Sequence, residues 1–207
     1  MKITVVDYGL GNVKSVLAAL THLNFEVKID SNGQRISGAD LLLIPGVASF
    51  GAGIDHINKF NQFEEILNFS KTGKTVIGLC LGAQLFLKQS EESPGALGLD
   101  LIEGVNKRLD SKLSIIPNQG WSKIEFKQNS ILSSKFEGKY LYFSHSYKME
   151  LDDPSIVVAK IKNKLEEIPA IIQKDNLIGL QFHPERSGLD GLALLYEIIN
   201  KQTGLNI

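Results

Sequence analysis

Three side chains in this sequence could act together as a nucleophile, a base and a carboxylate that orients the base: Cys80, His183 and Glu185. Cys80 is the single cysteine, and it lies between Gly78 and Gly82 at the end of an apolar run. This pattern predicts a strand that turns sharply into a helix, with the glycines giving the backbone room to bend. The sulfur would then lie near a helix N-terminus, which favours a thiolate and can bind a developing oxyanion.

The segment after His183 predicts that its imidazole is held in one orientation. Pro184 cannot continue a strand ladder and keeps the residue before it extended. Glu185 can accept the second ring N–H of the histidine and so fix its tautomer. A lone cysteine is more often a small buried apolar residue, and a histidine at a strand end more often fills space. The two glycines and the rigid tripeptide instead favour thiolate attack on a carbonyl.

The elements that must position these residues alternate between strands and helices in the first half of the chain. Apolar runs predict strands at 3–6, 25–29, 41–44 and 75–78, and helical periodicity predicts helices at 13–20, 54–67, 81–90 and 189–199. Strand-like stretches at 123–126, 140–144, 156–161 and 170–173 have few helical periods between them. The predicted fold is α/β: an open, largely parallel twisted sheet with helices on both faces and added antiparallel edge strands.

Composition narrows the class of protein. The chain has 207 residues, 43% of them hydrophobic, which is enough for one sizeable core, so we expect a single domain over residues 1–207. A net charge of −1 gives no basic footprint for nucleic acid. One cysteine excludes an intramolecular disulfide and suits the cytoplasm. The acidic residue after the short N-terminal apolar run argues against a membrane span, and the scattered histidines argue against a metal site.

The elbow around Cys80, with Gln84 after it, and the segment Gln181–Glu185 resemble the class I (triad) glutamine amidotransferases. Within that class the whole chain is similar to the glutaminase subunits of imidazole glycerol phosphate synthase. That likeness is carried by Asp7–Asn12, Pro45–Val47, Gly120–Trp121, His145–Tyr147 and His183–Ser187. It implies a hydrolase that takes ammonia from L-glutamine without a cofactor. It also implies a heterodimer with a (β/α)8-barrel cyclase subunit in histidine biosynthesis, where the joint activity is that of a lyase.

The same resemblance implies roles for individual residues. The nucleophile, base and orienting acid are Cys80, His183 and Glu185. The expected oxyanion hole involves Gly46, Val47 and Leu81, and it often forms only after the partner triggers a peptide flip. The expected contacts to glutamine come from Gln84, Glu92, Ser146 and Tyr147. The expected partner interface includes Asn12, Gln119, Trp121 and Arg186, although Trp121 could equally be a core residue.

Three departures from the usual pattern keep other functions open. Ala48 stands where a second glycine is typical, Pro117–Ser122 differs around Gly-Trp, and Arg186 replaces a frequent lysine. Because these changes cluster where a barrel should dock, one alternative is a paralogue that supplies ammonia to a surface-sugar amidotransferase. Another is a different cysteine hydrolase, either a γ-glutamyl peptidase or the glutaminase of pyridoxal phosphate synthesis. A binding protein without activity is disfavoured by the intact triad.

Overall fold

The computed structural model describes residues 1–127, 130 and 132–201, so the C-terminal end of the predicted domain lies outside the described residues. The strands are β1 (Lys2–Val6), β2 (Glu26–Asp30), β3 (Leu41–Gly46), β4 (Val76–Cys80), β5 (Leu87–Ser90), β6 (Ile102–Arg108), β7 (Asn118–Phe126), β8 (Tyr140–His145), β9 (Tyr147–Leu151), β10 (Val157–Asn163), β11 (Glu166–Lys174) and β12 (Leu177–Leu180). The helices are α1 (Val13–His22), α2 (Phe50–Lys59), α3 (Phe63–Ser70), α4 (Leu81–Gln84), α5 (Ser133–Phe136) and α6 (Gly188–Lys201). Within these ranges no helix is long and apolar enough to cross a bilayer.

Nine strands form one sheet in the order β2-β1-β3-β4-β12-β11-β10-β7-β8. The strands from β2 to β12 in this order are parallel, and those from β12 to β8 pair antiparallel. The predicted α/β fold, with a parallel sheet extended by antiparallel strands, is confirmed. Because β4 and β12 are neighbours, the residues that follow them emerge at the same edge of the sheet. This topology places the elbow beside the segment that contains His183.

The parallel strands are apolar throughout because both faces of the sheet are covered. In β3, Leu41 and Leu43 pack into the cluster that contains residues of α1 and α6. Leu42 and Ile44 point to the opposite face, into the cluster with residues of α2 and α3. All four side chains are fully buried. The continuous hydrophobic run of β3 therefore serves two cores at once and fixes the strand that leads into Pro45 and Gly46.

The prediction of a helix from Leu81 to about Ser90 was wrong in its extent. The helix α4 ends at Gln84, and Leu87–Ser90 form the strand β5. The cause is pairing with a later segment: the Phe86 carbonyl accepts from the N–H groups of Leu101 and Ile102. These contacts build a second sheet, β5-β6-β9, that the sequence did not predict.

The single helix predicted over 54–67 is also wrong, because the structure has two helices there. The break lies at Asn61, whose φ of 56° is incompatible with a continuing right-handed helix. Its N–H donates to the Asn58 carbonyl and closes α2. An asparagine tolerates this left-handed conformation better than most residues, which explains why the chain turns there.

Candidate active site

The predicted elbow is present at Cys80. This residue ends β4 and precedes α4 with φ of 52° and ψ of −108°, a strained conformation for a residue with a side chain. The turn is tight enough that a Cβ at Gly78 would lie 2.6 Å from the Ala83 nitrogen. A Cβ at Gly82 would overlap the Ile44 carbonyl oxygen. The glycines are therefore required by close backbone packing and not, as we expected from the sequence, by the bend itself, because the positive φ falls on Cys80.

His183 and Glu185 lie against the elbow. The backbone N–H of His183 donates to the Tyr142 carbonyl at 2.9 Å, and the ring Nδ1 of His183 lies 3.0 Å from Glu185 Oε1. Both side chains are almost fully buried. Burial opposes protonation of His183, but its hydrogen-bonding and charge interactions with Cys80 and Glu185 outweigh burial and raise its pKa to about 10. The resting imidazole is thus a cation held between two acidic groups.

The predicted oxyanion loop, Pro45–Val47, lies beside Cys80, and the Val47 N–H predicted as its donor is already hydrogen-bonded. Gly46 of β3 is in register with Cys80 of β4. The Val47 N–H donates to the Leu10 carbonyl at 3.0 Å instead of pointing to a free site. Leu81, the other predicted donor, begins α4 directly after Cys80.

Tyr8 holds the Pro45–Gly46 end of this loop. Its hydroxyl donates to the Pro45 carbonyl at 2.6 Å. Burial, reinforced by the charges of Cys80 and Asp7, raises the pKa of Tyr8, which therefore stays protonated as a donor. A Cβ at Gly46 would overlap this hydroxyl, so only glycine fits between Tyr8 and the elbow helix.

A cavity of about 560 Å³ opens above Cys80, in the size range of small-molecule sites. Its walls bring together the sequence-predicted residues Val47, Cys80, Leu81, Gln84, Glu92, Ser146, Tyr147, His183 and Arg186, with Ala48 and Pro117 among their neighbours. Glu92 also accepts from the Phe50 N–H at 2.7 Å and so caps α2. Arg108, which was not predicted as a site residue, adds a positive charge to the wall. Among the described residues no cluster of acidic, histidine and cysteine side chains could hold a metal ion.

Of the predicted interface residues, Arg186 lines this cavity, whereas Asn12, Gln119 and Trp121 do not. Trp121 on β7 is 55% exposed, which rules out the alternative that it is a core residue. It contacts Tyr142 edge-on at 6.1 Å between ring centroids, and the Arg186 guanidinium lies 4.3 Å from the centroid of the Tyr142 ring. Gln119 is exposed on β7, and Asn12 is the half-buried residue that precedes α1. Tyr142 also approaches the His183 ring and so connects this face to the triad.

Several site residues were not predicted to have a role. Tyr142 and His145 come from β8, and Gln181 follows β12, so their contacts to the site depend on pairing between distant segments. For Gln181 a signal was available, since it lies two residues before His183 and such residues often share a face. Tyr142 shows a similar alternation with Ser144, which lines the cavity.

Comparison with known proteins gives matches over nearly the whole chain. The family model of glutamine amidotransferase class-I matches residues 4–198. Imidazole glycerol phosphate synthase subunit HisH of Oceanobacillus iheyensis is 37% identical over 93% of this chain and 96% of its own length. The subunit of the same name from Halobacterium salinarum is 37% identical over 96% of this chain and 92% of its own.

Solved structures agree on the fold. A crystal structure of a glutamine amidotransferase superposes with a TM-score of 0.75 at 17% identity, covering 94% of this chain and 96% of that one. The structure of PurLQS from Thermotoga maritima gives the same TM-score at 22% identity, covering 96% of this chain and 97% of the matched chain. By the family match across residues 4–198 and the HisH relatives, the chain belongs to the class I glutamine amidotransferases.

Proposed function

We propose that this chain is the glutaminase subunit of imidazole glycerol phosphate synthase. It hydrolyses L-glutamine to glutamate and ammonia, and the ammonia passes to a (β/α)8-barrel cyclase subunit for histidine biosynthesis. The observation that carries the proposal is that Cys80 and His183 line the same cavity, while the His183 ring is held 3.0 Å from the buried Glu185 carboxylate. The names of the HisH relatives support the choice of pathway and of a partner subunit.

The first half-reaction makes a thioester. The Cys80 thiolate adds to the δ-carbonyl carbon of glutamine, and the carbonyl electrons move onto the oxygen. When this oxyanion collapses, the carbon–nitrogen bond breaks, and the His183 imidazolium gives its proton to the departing nitrogen to form ammonia. The raised pKa of His183 fits this step, because the proton is present before the reaction begins. Glu185 keeps the imidazole oriented throughout.

The second half-reaction restores the enzyme. His183, now neutral, takes a proton from water as the water oxygen attacks the thioester carbonyl. The carbon–sulfur bond breaks, the thiolate returns to Cys80, and glutamate leaves. We assign the substrate ammonium to Glu92 and the substrate carboxylate to the Ser146-Tyr147 loop. Gln84, at the end of α4, completes the pocket.

The oxyanion loop supports a gated activity. As long as the Val47 N–H donates to Leu10, the hole has one donor fewer. One lost oxyanion donor costs about 10²–10³ in kcat, which is sufficient to keep the isolated subunit slow. Ala48 stands at a position where glycine is usual, and it restricts the backbone conformations that this loop can adopt. We infer that the docked barrel stabilises the loop with this N–H released.

The partner surface proposed here is the exposed face that carries Gln119, Trp121 and Arg186, together with Asn12 near the oxyanion loop. Trp121 is 55% exposed and contacts edge-on the ring of Tyr142, which in turn lies 6.5 Å from the His183 ring. Buried tryptophans often dominate binding energy at interfaces.

We also infer that residues 1–207 form one domain that works in the cytoplasm. A single cooperative unfolding transition tests the former, and fractionation of the expressing cell tests the latter.

The test of the nucleophile uses Cys80→Ala, because the elbow geometry comes from glycines that this variant keeps. We expect no glutamate release above the uncatalysed rate, with an unchanged circular dichroism spectrum. In the wild-type chain a diazo-ketone analogue of glutamine should add one equivalent, at Cys80. Glutamate release by Cys80→Ala at close to the wild-type rate would overturn the assignment, and so would labelling at another residue.

A further inference from the structure

We propose that Gln181 is a further catalytic residue, whose side-chain N–H donates to Cys80 Sγ and stabilises the thiolate. The inference rests on the proposed function, in which Cys80 is the nucleophile. Gln181 is fully buried, and its Nε2 lies 3.8 Å from the sulfur, within reach for a sulfur acceptor. Hydrogen bonds from Gln84 to the Tyr147 backbone carbonyl and to Gln181 fix which end of the Gln181 amide faces Cys80.

The Tyr147 carbonyl also accepts a hydrogen bond from a neutral histidine, His145. His145 Nδ1 lies 2.8 Å from the Tyr147 carbonyl oxygen, which can only accept, so Nδ1 must carry the proton. Burial lowers the pKa of His145 to about 4, so the ring is neutral near pH 7 and its Nε2 is an acceptor. Asn118 Nδ2 lies 2.9 Å from Nε2 and donates to it. The tautomer of His145 is thereby fixed from both sides.

The Tyr147 carbonyl then orients two glutamines in succession. Gln84 Nε2 lies 3.0 Å from this carbonyl, so the amide nitrogen of Gln84 must face it. The same nitrogen lies 3.1 Å from Gln181 Oε1 and donates to it. With its oxygen engaged, Gln181 directs its amide nitrogen at Cys80 Sγ. The Tyr147 carbonyl has no donor, so it fixes the orientation of the Gln84 amide, and Gln84 in turn fixes the orientation of the Gln181 amide.

A donor at this place acts on the charged form of the sulfur. Hydrogen bonds to ionised groups are stronger than those to neutral ones, so an N–H aimed at Sγ favours the thiolate over the thiol. The titratable groups that interact electrostatically with Cys80 include His183, which follows β12, and Tyr8, which follows β1. Glu92, Arg108, His145, Tyr147 and Arg186 line the same cavity as Cys80. His183 supplies positive charge and accounts for part of the thiolate stability. Gln181 approaches the sulfur as a second, uncharged donor.

The experiment measures thiolate formation directly and does not depend on glutamine turnover. Because Cys80 is the single cysteine, the rate of iodoacetamide alkylation of the isolated full chain reports on this sulfur alone. We expect Gln181→Met, which keeps the length but removes the donor, to raise the midpoint of the pH–rate profile by about one pH unit. Below the midpoint, alkylation should slow about tenfold. The plateau rate at high pH should stay the same, which separates a pKa effect from a change in access.

The matched control is Gln173→Met. Gln173 is a buried glutamine on the neighbouring strand β11, and its amide donates to the Asp175 carbonyl, away from the sulfur. Its midpoint should equal that of the wild type. An unchanged midpoint in folded Gln181→Met would overturn the proposal and leave the nucleophile assignment, tested by Cys80→Ala, untouched.

If circular dichroism shows that Gln181→Met does not fold, Gln84→Met replaces it. This variant keeps Gln181 and removes the group that holds its oxygen. The midpoint should rise by a smaller amount, about half a pH unit, because Gln181 can then rotate away from the sulfur. No rise in folded Gln84→Met would count against the orientation by Gln84 and would overturn the proposal in this form.

Discussion

His183 holds its proton unusually tightly because it lies between Cys80 and Glu185. Burial alone would lower its pKa, yet interactions with these two acidic side chains raise it to about 10. The expected resting form of His183 is therefore the imidazolium, so the acid that protonates ammonia is in place before glutamine binds.

This charge state predicts the pH dependence of the triad. Since the reacting form needs protonated His183, kcat should fall as the pH rises through about 10. Glu185→Gln removes a charge that raises the pKa of His183, so the decline should begin at lower pH. His183→Asn should lower kcat by about 10³ or more at every pH, and Glu185→Gln by less. Steady-state rates from pH 6 to 11 measure this, and an identical alkaline decline in Glu185→Gln would contradict it.

At the scale of elements, the elbow depends on contact between backbones. The turn at Gly82 comes so close to Ile44 of β3 that a methyl group has no space. Since β3 continues into Pro45 and Gly46, the same contact holds the nucleophile and the oxyanion loop together. The loop and the elbow thus form one mechanical unit, and a change at Gly82 should alter both.

Gly82→Ala is predicted to destabilise the fold by about 3 kcal/mol, since an overpacked backbone contact must separate β3 from α4. Glutamine hydrolysis should also be lost. The control is Gly38→Ala, where a Cβ has its nearest neighbour 4.0 Å away and the expected change is within about 1 kcal/mol. Urea unfolding of both variants measures the difference. Equal stability of the two variants would show that the close approach at Gly82 is relaxed in solution.

Much of this arrangement could be predicted from sequence because its signals are local. Each of the apolar runs of β1, β3 and β4, and the pair of glycines around Cys80, spans only a few consecutive residues. The strand β5 could not be predicted, because its local sequence favours a continuing helix and only its pairing with β6 makes it a strand. Residues such as His145 and Gln181 gained roles only through hydrogen bonds between segments about 30 to 100 residues apart.

At the scale of the whole molecule, residues from both the parallel and the antiparallel half of the sheet meet at one sheet edge to form the site. Cys80 and Gly46 come from the parallel strands, and Tyr142 and His145 come from the antiparallel strand β8. The buried His145 therefore contributes to both the site and the stability of the fold, because its hydrogen bond with Asn118 connects the end of β8 to the start of β7. Loss of this hydrogen bond should weaken the fold as well as the site.

The titration of His145 predicts a loss of stability in acid. Burial lowers its pKa from 6.5 to about 4 in the folded chain, so between these pH values the unfolded chain binds a proton that the folded chain excludes. Stability should therefore fall as the pH drops, by about 2 kcal/mol between pH 7 and 5 from this residue. His145→Gln should lower stability at pH 7 but remove this part of the slope. Equal slopes in urea unfolding would contradict the prediction.

A titration of glutaminase activity with the cyclase barrel of imidazole glycerol phosphate synthase from the same organism decides whether this chain works as its gated subunit. We predict slow hydrolysis alone and a rise in kcat of about 10²–10³ with the ligand-bound barrel, with a smaller change in KM, because a released Val47 N–H acts only on developing charge. Trp121→Ala should weaken association by about 2 kcal/mol, whereas Leu165→Ala, at an exposed turn, should not. No stimulation by saturating barrel would contradict the assignment.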